Sequence, residues 1–291
     1  MNKTSIEWVK NPDGSQGYTW NPITGCLNCT LDGLCKSGMF PCYAYQLAHG
    51  RVKGLYLRNE NIPEGYSLAC GVLTDQPAPK DKPFYPRFWP ERISCQFTSR
   101  KTQGVFVCDM ADLFGIGIPE NWTWQVLQLI KAYPQHRFYL LTKQPQNLRK
   151  WSPFPSHCYM GVTATNYHYY SDAVLDLANI EAKVKYLSLE PLLDWNAQMS
   201  LPEGIINWVI IGACTGNRKN MEALCQRYPN LTLMQWGKKW TAQPKIEWVQ
   251  EITEACDKAG IPVFHKDNLK PIFPYPTTTL RQELPERRVR V

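Results

Sequence analysis

The chain has 291 residues, 44% of them hydrophobic and 20% charged, with a formal net charge of +7. That balance excludes a disordered polypeptide, and no apolar run reaches the length of a membrane span, so a soluble globular protein is expected. The charge admits an anionic partner, such as nucleic acid or a phosphorylated metabolite, without requiring one. The length suits one large α/β barrel or two smaller domains.

The start of the chain, MNKTSIEWVKNPDG, has no apolar stretch that could serve as a signal peptide, so a cytoplasmic, reducing setting is expected. Asn11-Pro12-Asp13-Gly14 reads as a turn, and Tyr18 to Ile23 as a short strand despite Pro22. Then comes WNPITGCLNCTLDGLCKSGMFPCYAYQLAHG, residues 20–50, which holds Cys26, Cys29, Cys35 and Cys42. Gly25, Gly33, Gly38 and Pro41 separate the thiols, as a loop needs if its backbone is to fold around one central object. In a reducing compartment such a cluster points to a soft metal centre, either an iron–sulfur cluster or zinc. Zinc usually shows two CxxC pairs, and here only Cys26 and Cys29 form one. YAYQLAHG then predicts a short helix stopping at Gly50.

Prolines recur from Gly54 to Gly104, which reads as an insertion or lid of loop and short helical pieces. Beyond it the pattern becomes regular. Strands are expected at Val105–Asp109, Arg137–Thr142, Cys158–Thr163, Lys185–Glu190 and Trp208–Gly212. Helices are expected over Pro119–Tyr133, Gln146–Trp151 and Ser171–Glu181. This alternation implies βαβ units around a parallel sheet, wound into a partial or full (β/α) barrel. Leu231–Trp236 and Pro262–Lys266 are candidates for two more strands, with an amphipathic helix over Pro244–Ala259 between them. The expected layout is an N-terminal strand and cysteine loop (1–53), the insertion (54–104), the barrel body (105–270) and a charged, mobile tail (271–291), one structural domain in all.

In parallel α/β folds ligands sit beyond the carboxyl ends of the strands. The residues there are Asp109 and Asp112, Lys143, Thr163 and Asn166, Glu190, and the turn Gly212-Ala-Cys-Thr-Gly216. Helix capping is the competing reading for Asp112 and Thr163, whereas Glu190, between Leu189 and Pro191, reads as a ligand contact. Lys143 can equally pair with an acid or face the ligand. The chain has no GxGxxG, GxxxxGK[ST] or HExxH, which removes support for a phosphate-loop nucleotide site or a helix-borne zinc protease. Five histidines show no ligand pairing, and His265, at a strand end, is the one to watch.

WNPITGC, the cysteine loop, CYA, DMADLF, LTKQP, GVTATN, SLEPLL and WVIIGACTG occur in an order that resembles a phage-associated three-cysteine-motif family. These are radical S-adenosylmethionine (radical SAM)-like proteins, distantly similar to spore photoproduct lyase. The resemblance implies a radical SAM type barrel and a [4Fe–4S] cluster with Cys26, Cys35 and Cys42 as ligands and one iron open to S-adenosyl-L-methionine. The trio is spaced by eight and six intervening residues, a departure from the usual CxxxCxxC. Cys29 is left over as a possible fourth ligand, which would close the cluster.

By the same resemblance, Asp109 and Asp112 approach the methionine amino group, Thr163 and Asn166 the ribose, and Glu190 a polar part of cofactor or substrate. Family members often carry GGESG where this chain has Gly212-Ala-Cys-Thr-Gly216. The implied activity is reductive cleavage of S-adenosyl-L-methionine and hydrogen abstraction from an unknown substrate, nucleic acid or nucleotide included. Of the thiols near strand ends, Cys108, Cys158 and Cys214, the last is the candidate for returning a hydrogen atom, against a role as a small buried hydrophobe. Such an enzyme needs an external electron donor and admits a protein partner. The alternatives are a non-catalytic nucleic-acid-binding protein stapled by zinc or a closed cluster, or a scaffold. Metal analysis separates them.

Overall fold

The computed structural model describes residues 1–27, 42–63, 79–93, 97, 99, 101–195, 199, 201, 202, 204–273 and 280–285. They form two compact units, Met1–Trp151 with Pro155–Tyr159 and Ser152–Phe154 with Met160–Val291. The fold is α/β, with a mostly parallel sheet of eight strands.

The first unit begins with β1 (Asn2–Lys3), antiparallel to β2 (Tyr18–Trp20). The expected strand from Tyr18 to Ile23 is broken at Asn21-Pro22, since proline has no N–H to give to a ladder. Its remainder, β3 (Ile23–Thr24), pairs with β4 (Arg87–Phe88), a strand the sequence reading placed within the loop-rich insertion. Helices α1 (Tyr43–His49), α2 (Lys53–Leu57) and α3 (Pro90–Ile93) follow the cysteine loop and flank β4. Gly50 ends α1, as its place in the sequence led one to expect.

β5 (Gly104–Val107) and β6 (Arg137–Thr142) run parallel to β2 and to one another, with α4 (Glu120–Ala132) as their crossover. Pro119 stands at the N-cap of α4, where its missing N–H costs nothing. Trp8, Trp20, Val105, Phe138 and Leu140 form this unit's core. β7 (Cys158–Thr163), entirely buried, starts in this unit and ends in the next. A strand buried on both faces reads as a continuous apolar run, which is why β6 and β7 begin and end at the residues expected.

In the second unit α5 (Tyr167–Ala178) begins four residues before the expected start, because Asn166 caps it by accepting the N–H of Tyr169 at 3.0 Å. β8 (Val184–Leu189), β9 (Trp208–Ile211) and β13 (Val263–His265) are parallel. Tyr186, Trp208, Ile210, Ile252 and Phe264 are buried in this unit's core.

Two expectations are corrected in this unit, and one helix is added. Residues 231–236 do not extend the parallel sheet. Instead β10 (Cys214–Gly216), β11 (Thr232–Trp236) and β12 (Lys239–Gln243) form a separate antiparallel sheet in the order β10-β12-β11. Gly237, at φ +58°, opens the two-residue loop that turns β11 into β12. Helix α6 (Arg218–Arg227), capped by Asn217, was not anticipated.

The second correction concerns the tail, whose residues 280–285 are docked after α7 (Ile246–Lys258) and β13. His265 donates its backbone N–H to Arg281, Glu283 donates to Val263, and Arg281 pairs with Asp257 and Glu283. Edge N–H and C=O groups of β13 recruit this segment.

His265, whose backbone N–H meets this segment, is buried. The Thr253 hydroxyl donates to the Val249 carbonyl at 2.6 Å, so it accepts from His265 Nε2–H at 3.0 Å. Burial first, then the Arg281 charge, pushes the imidazole down to about 4, with Glu283 and Asp257 opposing. Below its ordinary value near 6.5 the unfolded chain takes up a proton that the folded chain refuses, so stability falls as pH drops from about 6.5 to about 4. A shift of this size is worth about 3 kcal/mol. Urea unfolding of the wild type at pH 7 and 4.5 should show this loss, and His265→Gln should flatten the slope. An equal slope in both proteins would remove His265 as its source.

Candidate metal and ligand site

In the first unit the site is built where β2 ends and the cysteine loop starts. Asn21, the first residue past β2, accepts the Met110 N–H through Oδ1 at 3.0 Å and donates Nδ2–H to Asp109 Oδ1 at 2.6 Å. Its carbonyl accepts from Arg92 Nη1 at 2.8 Å. The chain after β5 turns sharply, with Cys108 at φ +59° and the Ala111 N–H donated to the Cys108 carbonyl. Left-handed backbone at a non-glycine residue is strained and persists only where its surroundings hold it. Here Trp20 accepts the Cys108 N–H at 2.8 Å, and the thiol is buried, which raises its pKa.

The turn presents Asp109, which is half-buried. Desolvation raises its carboxyl above the usual range, with hydrogen bonds from Asn21 and Tyr43 acting against it. Tyr43, the first residue of α1, donates its hydroxyl to the Asp109 backbone carbonyl. The helix that follows Cys42 is thereby pinned to the end of β5.

Cys26 and Cys42 are both half-buried and pack against one apolar cluster of Ala44, Ala48, Tyr56, Phe84, Trp89 and Met110. Gly25 makes the entry possible. At φ +83° it donates its N–H to Met110, and the Cys26 N–H reaches the Phe84 carbonyl at 2.9 Å. Cys29 and Cys35 lie outside the described residues, among which no group of three metal-capable side chains forms.

Asp112 is engaged otherwise. Its carboxylate accepts the Thr142 hydroxyl at 2.7 Å and the N–H groups of Lys143 at 2.9 Å and Phe114 at 3.2 Å. It ties the end of β6 to the turn after β5 through bonds to main-chain N–H groups and a hydroxyl, while the next helix, α4, has its N-cap at Pro119. Lys143 takes part through its backbone.

The second unit groups another set at strand ends. Thr163, 4% exposed at the end of β7, has a buried Oγ1 without a hydrogen-bond partner among the described residues. A buried hydroxyl left unpaired costs about 1–3 kcal/mol unless a ligand or water meets it. Asn166 spends its side chain on the α5 cap. Glu190, past β8, pairs with Lys266, past β13, the two side chains being 24% and 14% exposed. Gly212 lies between them, where a Cβ would stand 3.1 Å from both Glu190 Cγ and Lys266 Cδ. Cys214 is buried in β10, and burial, reinforced by the Glu190 charge, pushes its thiol up to about 12.

Sequence reasoning passed over Asn21, Tyr43 and Lys266. Tyr43 was inside the CYA motif, and Lys266 follows a strand directly, so the strand-end rule that selected Glu190 applied to it equally. Asn21 carried no signal of its own beyond the broken strand.

No helix among the described residues is long and apolar enough to cross a membrane. No curated protein matches the chain. Among solved structures, spore photoproduct lyase complexed with dinucleoside spore photoproduct is similar at 10% identity and a TM-score of 0.45, over 91% of this chain and 81% of that one. A double mutant of spore photoproduct lyase with bound AdoMet and the same dinucleoside matches at 10% identity and a TM-score of 0.39, over 86% and 74%. A family model described as "Protein of unknown function (DUF5131)" matches residues 3–225, and the chain belongs to that family.

Proposed function

We propose that this protein is an iron–sulfur enzyme of radical SAM type, with Cys26, Cys35 and Cys42 holding a [4Fe–4S] cluster. The carrying observation is the placement of Cys26 and Cys42, two half-buried thiols on one apolar cluster, beside a turn that presents a carboxyl of raised pKa. Soft thiolates bordered by apolar side chains suit an iron–sulfur centre, whose potential depends on solvent exclusion. When bound, the cluster and S-adenosyl-L-methionine supply the electron transfer and the reductive bond cleavage that permit hydrogen abstraction from a substrate. Cys29 stays outside the ligand set.

The chain's own residues divide the remaining work. Asp109 accepts hydrogen bonds from an ammonium group, its carboxyl oriented by Asn21 and its turn held by Tyr43. Thr163 Oγ1, buried and without a hydrogen-bond partner among the described residues, offers a hydroxyl to a ribose. Asn166 keeps α5 capped. Lys266 keeps Glu190 oriented as a polar contact, and Gly212 leaves the room that this pair occupies. Cys214 stays an S–H at neutral pH, the form a hydrogen-atom donor must have. The electron comes from an external donor, and a nucleic-acid or nucleotide substrate fits the modest positive charge.

Anaerobic reconstitution with iron and sulfide tests the metal reading, and should give a brown protein with about four irons per chain. Stoichiometric zinc that iron and sulfide cannot displace contradicts it.

A further inference from the structure

We propose that Arg87 is a positioning residue for the cysteine site, fixing where Cys26 lies by gathering the main-chain carbonyls around it. This rests on the reading of Cys26 and Cys42 as metal ligands. Arg87 is 1% exposed, yet among the described residues no carboxylate pairs with it. Its donors go to backbone oxygens instead. Nε reaches Asn59 O at 3.1 Å, Nη1 reaches Lys82 O and Tyr85 O at 2.8 Å each, and Nη2 reaches Lys80 O at 2.9 Å. Pro83 O lies at 3.5 Å from Nη1. A buried guanidinium is costly to desolvate, and holding it on carbonyls alone is an arrangement with a purpose.

The gathered segment is the wall of the cysteine site. Phe84 O accepts the Cys26 N–H, and the carbonyls of Phe84 and Tyr85 lie over Gly25. The Phe84 ring belongs to the apolar cluster on which Cys26 and Cys42 pack. Arg87 itself is paired with Thr24, two residues before Cys26. Through Asn59, just past α2, the same guanidinium holds the chain that leads away from Cys42. One side chain thus joins the segments flanking both cysteines. A lysine has three donors on one nitrogen and cannot reach this spread of acceptors.

Arg87→Lys, with Arg87→Gln as a second variant, tests this in two readouts. In metal-free native protein, iodoacetamide labelling followed by mass spectrometry should show Cys26 reacting at least about tenfold faster than in wild type, as local opening predicts. Cys158 and Cys256, buried far along the chain, should keep their wild-type rates. After reconstitution the variants should retain several-fold less iron than wild type at equal far-ultraviolet dichroism. Unchanged Cys26 labelling overturns the proposal. So does equal acceleration at all three cysteines, which would make Arg87 a general stabiliser. If the wild type takes up no iron, the metal reading fails while the labelling still decides the role of Arg87.

Discussion

Replacing Cys42 by alanine should leave the protein folded and unable to hold its iron. Cys42 is the N-cap of α1, but its side chain makes no capping hydrogen bond, so the helix loses no cap in the alanine variant. A small side chain at a half-buried position costs about 1 kcal/mol or less when truncated. Cys26 is similar, because the bond that fixes it runs through its backbone N–H to Phe84, which alanine keeps. Iron content should drop from about four per chain to near zero in either variant, since alanine removes one of the three thiolates that hold the cluster. Iron and sulfide analysis alongside thermal unfolding reads both halves of the expectation. Wild-type iron in Cys26→Ala or Cys42→Ala would remove that residue from the ligand set.

Gly25→Ala should do more damage than its size suggests. A Cβ there would stand 2.4 Å from the Tyr85 carbonyl oxygen and 2.7 Å from that of Phe84, with φ at +83°. Backbone atoms cannot step aside as a flexible side chain could. Overpacking and the left-handed backbone each cost roughly 1–3 kcal/mol, so the sum is roughly 2–6 kcal/mol. Gly204→Ala is the control, because Gly204 shares the positive φ, +74°, but among the described residues nothing lies within 4 Å of a Cβ there. The difference in urea midpoint between the two variants isolates the clash. Equal midpoints would mean that the carbonyls over Gly25 move freely, and that Gly25 does not fix the entry to Cys26.

The parts of the fold that sequence made legible are those where one physical signal dominates. β6 and β7 stand at the expected residues because burial on both faces leaves an uninterrupted apolar run. The helix after Cys42 was legible from YAYQLAH followed by glycine. Elements whose existence depends on distant partners were not. β4 is two residues long and exists because β3 pairs with it, and residues 280–285 are held by the free edge of β13. β11 and β12 were separable from the parallel sheet only through Gly237, whose turn signal lies between two alternating runs.

Within the site, strand-end logic led to Asp109 and Glu190 and to the buried hydroxyl of Thr163. It could not reveal that Asp112 serves as a turn anchor, or that Asn166 is spent on a helix cap. Both are polar residues at strand ends, and composition does not distinguish a carboxylate that accepts main-chain N–H groups from one that awaits a ligand. Arg87 was invisible for a related reason: its partners are backbone carbonyls, which every residue carries.

The most direct test of the radical SAM reading is the electron paramagnetic resonance spectrum of the reduced, reconstituted protein, recorded with and without S-adenosyl-L-methionine, with 5′-deoxyadenosine assayed in the same samples. A ligand on iron changes its electronic surroundings, so the cofactor should alter the signal, and 5′-deoxyadenosine should accumulate slowly without added substrate. Thr163→Val should weaken the cofactor effect while keeping the cluster signal, since it removes a hydroxyl and no thiolate. An unchanged spectrum at saturating cofactor, with no 5′-deoxyadenosine from fully loaded protein, would contradict the account and indicate a centre closed by a fourth cysteine.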